Sequence, residues 1–122
     1  MTTAMTTEAY ADDAPLTVLL GNSARVQILS AFVADRGRDL STSEIARFAG
    51  VARSTVYDHL DALLELGVVE HTRDTQAGHS PRYQLDEESE IATKLYKLEG
   101  VTLRRLLELN ENVDRSSSQF ES

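Results

Sequence analysis

The chain has 122 residues, of which 20 are acidic and 12 are Lys or Arg, so its formal net charge is -8; 41% of the residues are hydrophobic and 6% aromatic. This length favours one compact domain with one extra element over a multidomain enzyme, and no apolar run is long enough to cross a bilayer. The absence of cysteine excludes disulfides, cysteine-based zinc sites and thiol redox switches, and residues 1–13 lack the pattern of a signal peptide, so we expect a cytoplasmic protein.

The charge is unevenly distributed along the chain. Residues 22–85 carry seven arginines and eight acidic residues, so this segment is close to neutral, whereas the rest of the chain is strongly acidic. Arginine outnumbers lysine ten to two. This composition resembles that of proteins from salt-loving archaea, which suggests a halophilic source; the alternative is an ordinary acidic bacterial protein.

Residues 1–14 are small and polar, which predicts a disordered N-terminal arm. A short apolar segment, residues 16–20, follows Pro15. Ser23 can then cap a first core helix that extends to about Ala34, with a broad apolar face.

A second and a third helix follow, separated by a tight turn. Leu40 is a minimal strand position, and Ser41 and Glu44 match a capping box that begins a helix over 42–48. Gly50 ends it, and the spacing of apolar residues predicts a third helix over about 52–66. Its buried face is Val56, Leu60, Leu63 and Leu64.

Beyond Gly67 the periodicity changes from that of a helix to that of a strand. Residues 68–73 and 82–85 are predicted strands of a hairpin joined by a polar loop. Asp86 can cap a long final helix over about 87–111, and the residues from 114 onward look disordered. The helix carries an almost heptad apolar stripe of Ile91, Leu95, Leu98, Thr102, Leu106 and Leu109.

This order of elements is that of a winged helix-turn-helix, and the residues agree with it. The sequence LSTSEIARFAGVARSTVYDHLDALLELGVVEHT, from Leu40 to Thr72, resembles winged-helix transcription regulators of the ArsR, MarR and PadR type. The long last helix, the acidic balance and the length are similar to those of small haloarchaeal regulators. The resemblance implies a mainly α fold with a small β-hairpin wing, an α+β protein. Its divisions are an arm (1–14), a winged helix-turn-helix domain (15–86), a C-terminal dimerisation helix (87–113) and a disordered tail (114–122).

The third helix is the candidate recognition helix, inserted into the major groove of double-stranded DNA. Its exposed side offers hydrogen-bond donors to phosphates and base edges, and the alternative is an ordinary solvated helix face. The candidate residues are Arg53, Ser54, Thr55, Tyr57 and His59.

Two further segments could contact the same duplex. The wing, residues 74–82, could reach an adjacent minor groove or backbone, unless its arginines only pair with Glu70 or Asp74. Its candidates are Arg73, Gln76, His79, Ser80 and Arg82. The second helix adds phosphate candidates at Ser41, Thr42, Ser43 and Arg47.

We expect a homodimer, joined by the stripe on the last helix with help from residues 16–20, because two recognition helices about 34 Å apart would read the two halves of a palindromic promoter site. The alternative is that the stripe folds back on its own domain.

No cofactor is expected to be required. Asp58 and Asp61 lie on the proposed DNA side, and in concentrated KCl they could hold potassium ions between carboxylate and phosphate; the alternative is that Asp58 pairs with an arginine and Asp61 is solvated.

Other classes of function are poorly supported by the sequence. It contains no nucleotide-binding glycine loop and no HExxH, and its neighbouring acid and imidazole residues do not converge, so we expect no enzyme. The last helix has no His or Cys with which to sense a metal. The main competitor to a DNA-binding regulator is a winged helix that binds a protein partner.

Overall fold

The computed structural model describes residues 13–72 and 81–121, with residues 111–121 described only as helical backbone. All eight ends predicted for the three helices of the helix-turn-helix domain and for the returning strand lie within one residue of the ends observed. The elements in chain order are α1 (Pro15–Leu20), α2 (Ala24–Ala34), β1 (Leu40–Ser41), α3 (Thr42–Ala49), α4 (Arg53–Glu65), β2 (Val69–Thr72), β3 (Arg82–Leu85) and α5 (Glu90–Glu121).

Local signals in the sequence set most of these boundaries. The Ser23 side chain accepts a hydrogen bond from the Val26 N–H at the start of α2. At the start of α3, Ser41 and Glu44 form both hydrogen bonds of the predicted capping box. Gly50 ends α3 with φ of 76°, a left-handed conformation that a residue with a Cβ adopts at a cost.

The sheet has three antiparallel strands in the order β1-β3-β2. Leu40 and His71 lie on either side of Tyr83, and Val69 is opposite Leu85. The minimal strand predicted at Leu40 is therefore one of the two edge strands of the wing sheet, and it lies directly before α3.

One hydrophobic core joins the helix-turn-helix unit to this sheet. Helices α2, α3 and α4 contribute its largest fully buried side chains, and the sheet adds Leu85. Three of the four residues predicted for the buried face of α4, Val56, Leu60 and Leu63, are at most 3% exposed, and the fourth, Leu64, is partly buried against the core. The largest fully buried side chains of the core are Phe32, Ile28, Ile45, Leu63, Val56 and Leu85, together with Leu16 from α1.

The last helix differs from the prediction at both ends. It begins at Glu90, because Ser89 accepts a hydrogen bond from the Ala92 N–H, whereas Asp86 accepts one from the Glu88 N–H in the preceding turn. It continues to Glu121, where a disordered tail was predicted from residue 114. Residues 101–121 contain neither glycine nor proline, and the helix propensities of the serines are only tenths of a kcal/mol below those of good helix formers.

Helix α1 packs against α2 and α5 and links the last helix to the core. The Thr17 and Ser30 hydroxyls hydrogen-bond at 3.3 Å inside the contact between α1 and α2. No helix in the described part of the chain is long and apolar enough to span a membrane.

Candidate nucleic-acid interface

Helix α4 presents a polar half to solvent over its buried apolar back. Arg53 and Ser54 are exposed, Tyr57 is 52% exposed and Thr55 is half-buried. Ala52 precedes the helix and supplies no side-chain cap. The Thr55 N–H donates to the Ala52 carbonyl oxygen at 3.0 Å, so the N–H groups of Arg53 and Ser54 are those that an outside acceptor could use. The structure thus brings together four of the five predicted recognition residues at one end of α4.

Tyr57 links the two helices of the turn. Its hydroxyl lies 3.3 Å from Thr42 Oγ1 at the first position of α3. This hydrogen bond, and a second one with Arg53, lower the pKa of Tyr57 below its ordinary value. Thr42 was a phosphate candidate, but it is only 4% exposed, and its role here is to hold the Tyr57 ring against α3.

His59 was predicted to face DNA, but its side chain has a hydrogen-bond partner within the protein. It is half-buried, and its Nδ1 accepts a hydrogen bond from Arg25 Nε at 3.0 Å. Arg25, at the exposed start of α2, therefore belongs to this surface, and no sequence spacing indicated it because 34 residues separate the two partners.

The remaining candidates on α3 divide into two kinds. Ser43 and Arg47 are exposed, and the Arg47 guanidinium lies 5.0 Å from the centre of the Phe48 ring. Ser41 is occupied by the capping box. Two exposed side chains on α3 thus remain as phosphate candidates.

Arg82, predicted to contact DNA from the wing, instead pairs with two carboxylates. Its Nε donates to Asp39 Oδ1 at 2.9 Å and its Nη2 to Glu44 Oε1 at 2.9 Å. Of the two partners foreseen for the wing arginines, Glu70 instead accepts a hydrogen bond from Gln84 at 3.2 Å, and Asp74 lies outside the described residues. The other wing candidates, Arg73, Gln76, His79 and Ser80, lie outside the described residues.

These ion pairs perturb all three charged groups. The hydrogen bond from Arg82 holds the pKa of Asp39 below its ordinary value. The pKa of Glu44 is lowered first by the backbone N–H of Ser41 and then by the nearby Arg82 charge. The two carboxylates in turn raise the pKa of Arg82, so the cluster stays ionised at neutral pH.

The predicted dimer stripe on α5 divides between the domain's own core and solvent. Leu95 packs against the core, and Thr102 and Leu106 are half-buried. The other three members, Ile91, Leu98 and Leu109, are 48%, 37% and 43% exposed. The stripe therefore both folds back on its own domain and leaves apolar surface uncovered.

More apolar side chains extend this uncovered surface. They lie on α1 and along α5, and several were outside the predicted stripe. The additional exposed members are Val18, Leu19, Leu20, Tyr96, Val101, Leu103 and Leu107. We call these residues, with Ile91, Leu98 and Leu109, the α1–α5 apolar surface.

Within the described residues, no group of three or more His, Asp or Glu side chains is arranged to hold a metal ion. Asp58 and Asp61 are both exposed on α4, and neither has an ion pair within the same part of the chain.

Comparison with known proteins agrees with this geometry. Residues 20–72 match the model of a family described as a helix-turn-helix domain. No curated protein sequence matches the chain significantly.

Several solved structures share the fold. ZitR from Lactococcus lactis superimposes with a TM-score of 0.57 at 16% identity, over 81% of this chain and 69% of that one. The adhesin competence repressor AdcR from Streptococcus pyogenes gives 0.57 at 14% identity, over 82% and 75%. The PcaV transcriptional regulator from Streptomyces coelicolor, solved with its natural ligand, gives 0.51 at 21% identity, over 78% and 66%.

Residues 20–72 thus match a helix-turn-helix domain, and with its sheet and last helix the chain shares the winged-helix fold of these solved structures.

Proposed function

We propose that this protein is a cytoplasmic, sequence-specific DNA-binding transcriptional regulator that acts as a homodimer. The observation that carries the proposal is the polar half of α4, where Arg53, Ser54 and Tyr57 are exposed over a rigid apolar back. A helix of this kind fits the major groove, with its N-terminal residues against bases and phosphates.

Neighbouring groups support the same orientation on DNA. The uncapped first turn of α4 offers backbone N–H groups to a phosphate oxygen. Arg25, which hydrogen-bonds to His59 of the same helix, and Ser43 and Arg47 of the preceding helix are exposed and supply further donors. We assign the wing, residues 74–82, to the adjacent minor groove or backbone.

The homodimer is supported by the α1–α5 apolar surface. Helices α1 and α5 pack on each other and, within the described residues, together expose ten large apolar side chains, a concentration that favours an interaction site over a solvated surface. We propose a second copy of the chain as its occupant, because a two-fold pair places two recognition helices one DNA turn apart, about 34 Å, and so reads a palindromic site.

The acidity of the chain bears on how it binds a polyanion. Most DNA-binding proteins lose affinity steeply with salt because counterion release drives their binding. We propose that this protein is adapted to high salt, where the Debye length is about 3 Å at 1 M and long-range repulsion is screened. Asp58 and Asp61, both exposed on α4, are proposed to hold potassium ions against phosphates.

The test is capture of genomic DNA fragments by the purified protein in molar KCl, followed by sequencing. The proposal predicts recovery of a common palindromic sequence and an affinity that is retained or rises as KCl increases. Recovery of random fragments would reject sequence-specific readout, and no binding to DNA at any salt concentration would favour a winged helix that binds a protein partner.

The proposed binding of potassium ions is tested separately, with a variant that lacks both carboxylates. The Asp58→Asn, Asp61→Asn double variant should bind more tightly than the native protein at low salt and should lose the benefit of added KCl. An unchanged salt dependence in this variant would rule out the proposed ions.

A further inference from the structure

One arginine links the β2–β3 hairpin to the helix-turn-helix unit. Arg82 is the first residue of β3, and both of its carboxylate partners lie outside the hairpin. Asp39 precedes β1 and Glu44 lies in the first turn of α3, each 2.9 Å from a guanidinium nitrogen. A third contact runs from Arg82 Nη2 to the Asp39 backbone oxygen at 3.3 Å.

Asp39 also holds the other strand of the hairpin. The Thr72 hydroxyl shares its proton between Asp39 Oδ2 at 3.4 Å and the Arg82 backbone oxygen at 3.0 Å. Thr72 ends β2 and is opposite Arg82 in the sheet. The two strand ends that lead into residues 73–80 therefore meet at one carboxylate on the helix-turn-helix side.

The arrangement has an electrostatic cost for a DNA-binding protein. One arginine faces two carboxylates, so the cluster carries a net charge of -1 on a domain that is proposed to approach phosphates. If charge alone mattered, replacing Asp39 by a neutral residue would favour DNA binding.

We propose that Asp39 and Arg82 are positioning residues that set the hairpin relative to α3 and α4, and that DNA binding depends on this geometry and not on an Arg82–DNA contact. This inference rests on the proposed function. The fork of the guanidinium suits the task because it donates to both carboxylates at once, which a lysine ammonium on a flexible stem does less well.

The test uses two substitutions that change the net charge in opposite directions. Asp39→Asn makes the protein less acidic and Arg82→Gln makes it more acidic. Positioning predicts that both weaken DNA binding, by about tenfold each, the loss that corresponds to about 1.4 kcal/mol. The double variant should bind DNA as tightly as the single variant with the lower affinity, because both changes break the same link.

Two further variants control for charge and for folding. Arg38→Gln removes the same charge as Arg82→Gln from a side chain that is 78% exposed and pairs only loosely, at 3.8 Å, with Asp35. It should leave DNA affinity within about twofold of the native value. Arg82→Lys keeps the positive charge but loses the forked guanidinium, so it should lower DNA affinity as much as Arg82→Gln does.

The salt dependence separates positioning from direct contact. Loss of a phosphate contact would change the slope of log K against log salt concentration by about one, whereas loss of positioning leaves the slope unchanged. A changed slope in Arg82→Gln, or an Asp39→Asn variant that binds DNA as tightly as the native protein or more tightly, would overturn the inference.

Hydrogen exchange without DNA tests the link independently. Asp39→Asn and Arg82→Gln should both accelerate amide exchange in β1 and β3 while the amides of α4 keep their native rates. Unchanged exchange in β1 and β3 would overturn the inference whether or not the protein binds DNA. A native protein that binds no DNA would instead reject the proposed function.

Discussion

The proposed homodimer can be tested at Leu107, one of the most exposed apolar residues of α5. Its side chain is 54% exposed, so about half of its burial energy remains to be gained on association. Replacing it by alanine keeps a strong helix former and removes three carbons, each worth about 0.8 kcal/mol when fully buried. The expected loss is therefore about 1.2 kcal/mol per copy.

A two-fold interface contains the residue twice, so the loss per dimer is about 2.4 kcal/mol and the dissociation constant should rise about fifty-fold. Sedimentation velocity over a dilution series in molar KCl measures this constant. The matched control is Leu66→Ala, which removes the same atoms from a side chain that is 57% exposed at the end of α4. A native protein that stays monomeric at high concentration, or equal dissociation constants for Leu107→Ala and the native protein, would refute this reasoning.

Three other predictions concern single side chains. The Glu99 carboxyl accepts a hydrogen bond from the Leu16 N–H, but its Oε1 is buried without a partner among the described residues, and burial raises its pKa. The free energy of unfolding should therefore fall as pH rises from about 4.5 through that raised pKa. The Glu99→Gln variant should not show this fall and should be about 1 kcal/mol more stable than the native protein at pH 7. Equal urea midpoints for the two proteins at pH 7 would contradict this prediction. Tyr57→Phe removes the hydrogen bond to Thr42 and should lower the urea midpoint and weaken DNA binding, whereas an unchanged midpoint would show that the bond contributes nothing. Arg25→Gln should weaken DNA binding by a few-fold in a fluorescence titration, because it removes a donor and the partner of His59; native affinity would exclude Arg25 from the interface.

The elements that the sequence predicted well depend on local rules. The capping box at Ser41 and Glu44, the glycine that ends α3 and the apolar spacing of α4 involve residues within one or two turns of each other. The predicted strand position at Leu40 likewise lies directly after a local turn, residues 36–39, and directly before this capping box. Such signals determine the local structure wherever the chain is later packed.

The interactions that the sequence did not predict are between distant residues. Arg25 and His59 are 34 residues apart, and Arg82 and Asp39 are 43 apart. Spacing along one helix or strand carries no information about such pairs, and several carboxylates were equally available to Arg82. The end of α5 was missed for another reason, since a cluster of serines lowers helix propensity without stopping a helix.

The central claim is that the exposed half of α4 contacts DNA, and the most direct measurement compares two Arg→Gln variants on a duplex recovered by genomic capture. Arg53 lies in the first turn of α4, and Arg104 is exposed on α5, away from the proposed interface. Both changes remove one positive charge. The account predicts that Arg53→Gln raises the dissociation constant in molar KCl at least tenfold, as expected for a contact worth about 1–3 kcal/mol, and that Arg104→Gln leaves it unchanged. Equal affinities for the two variants would contradict the claim.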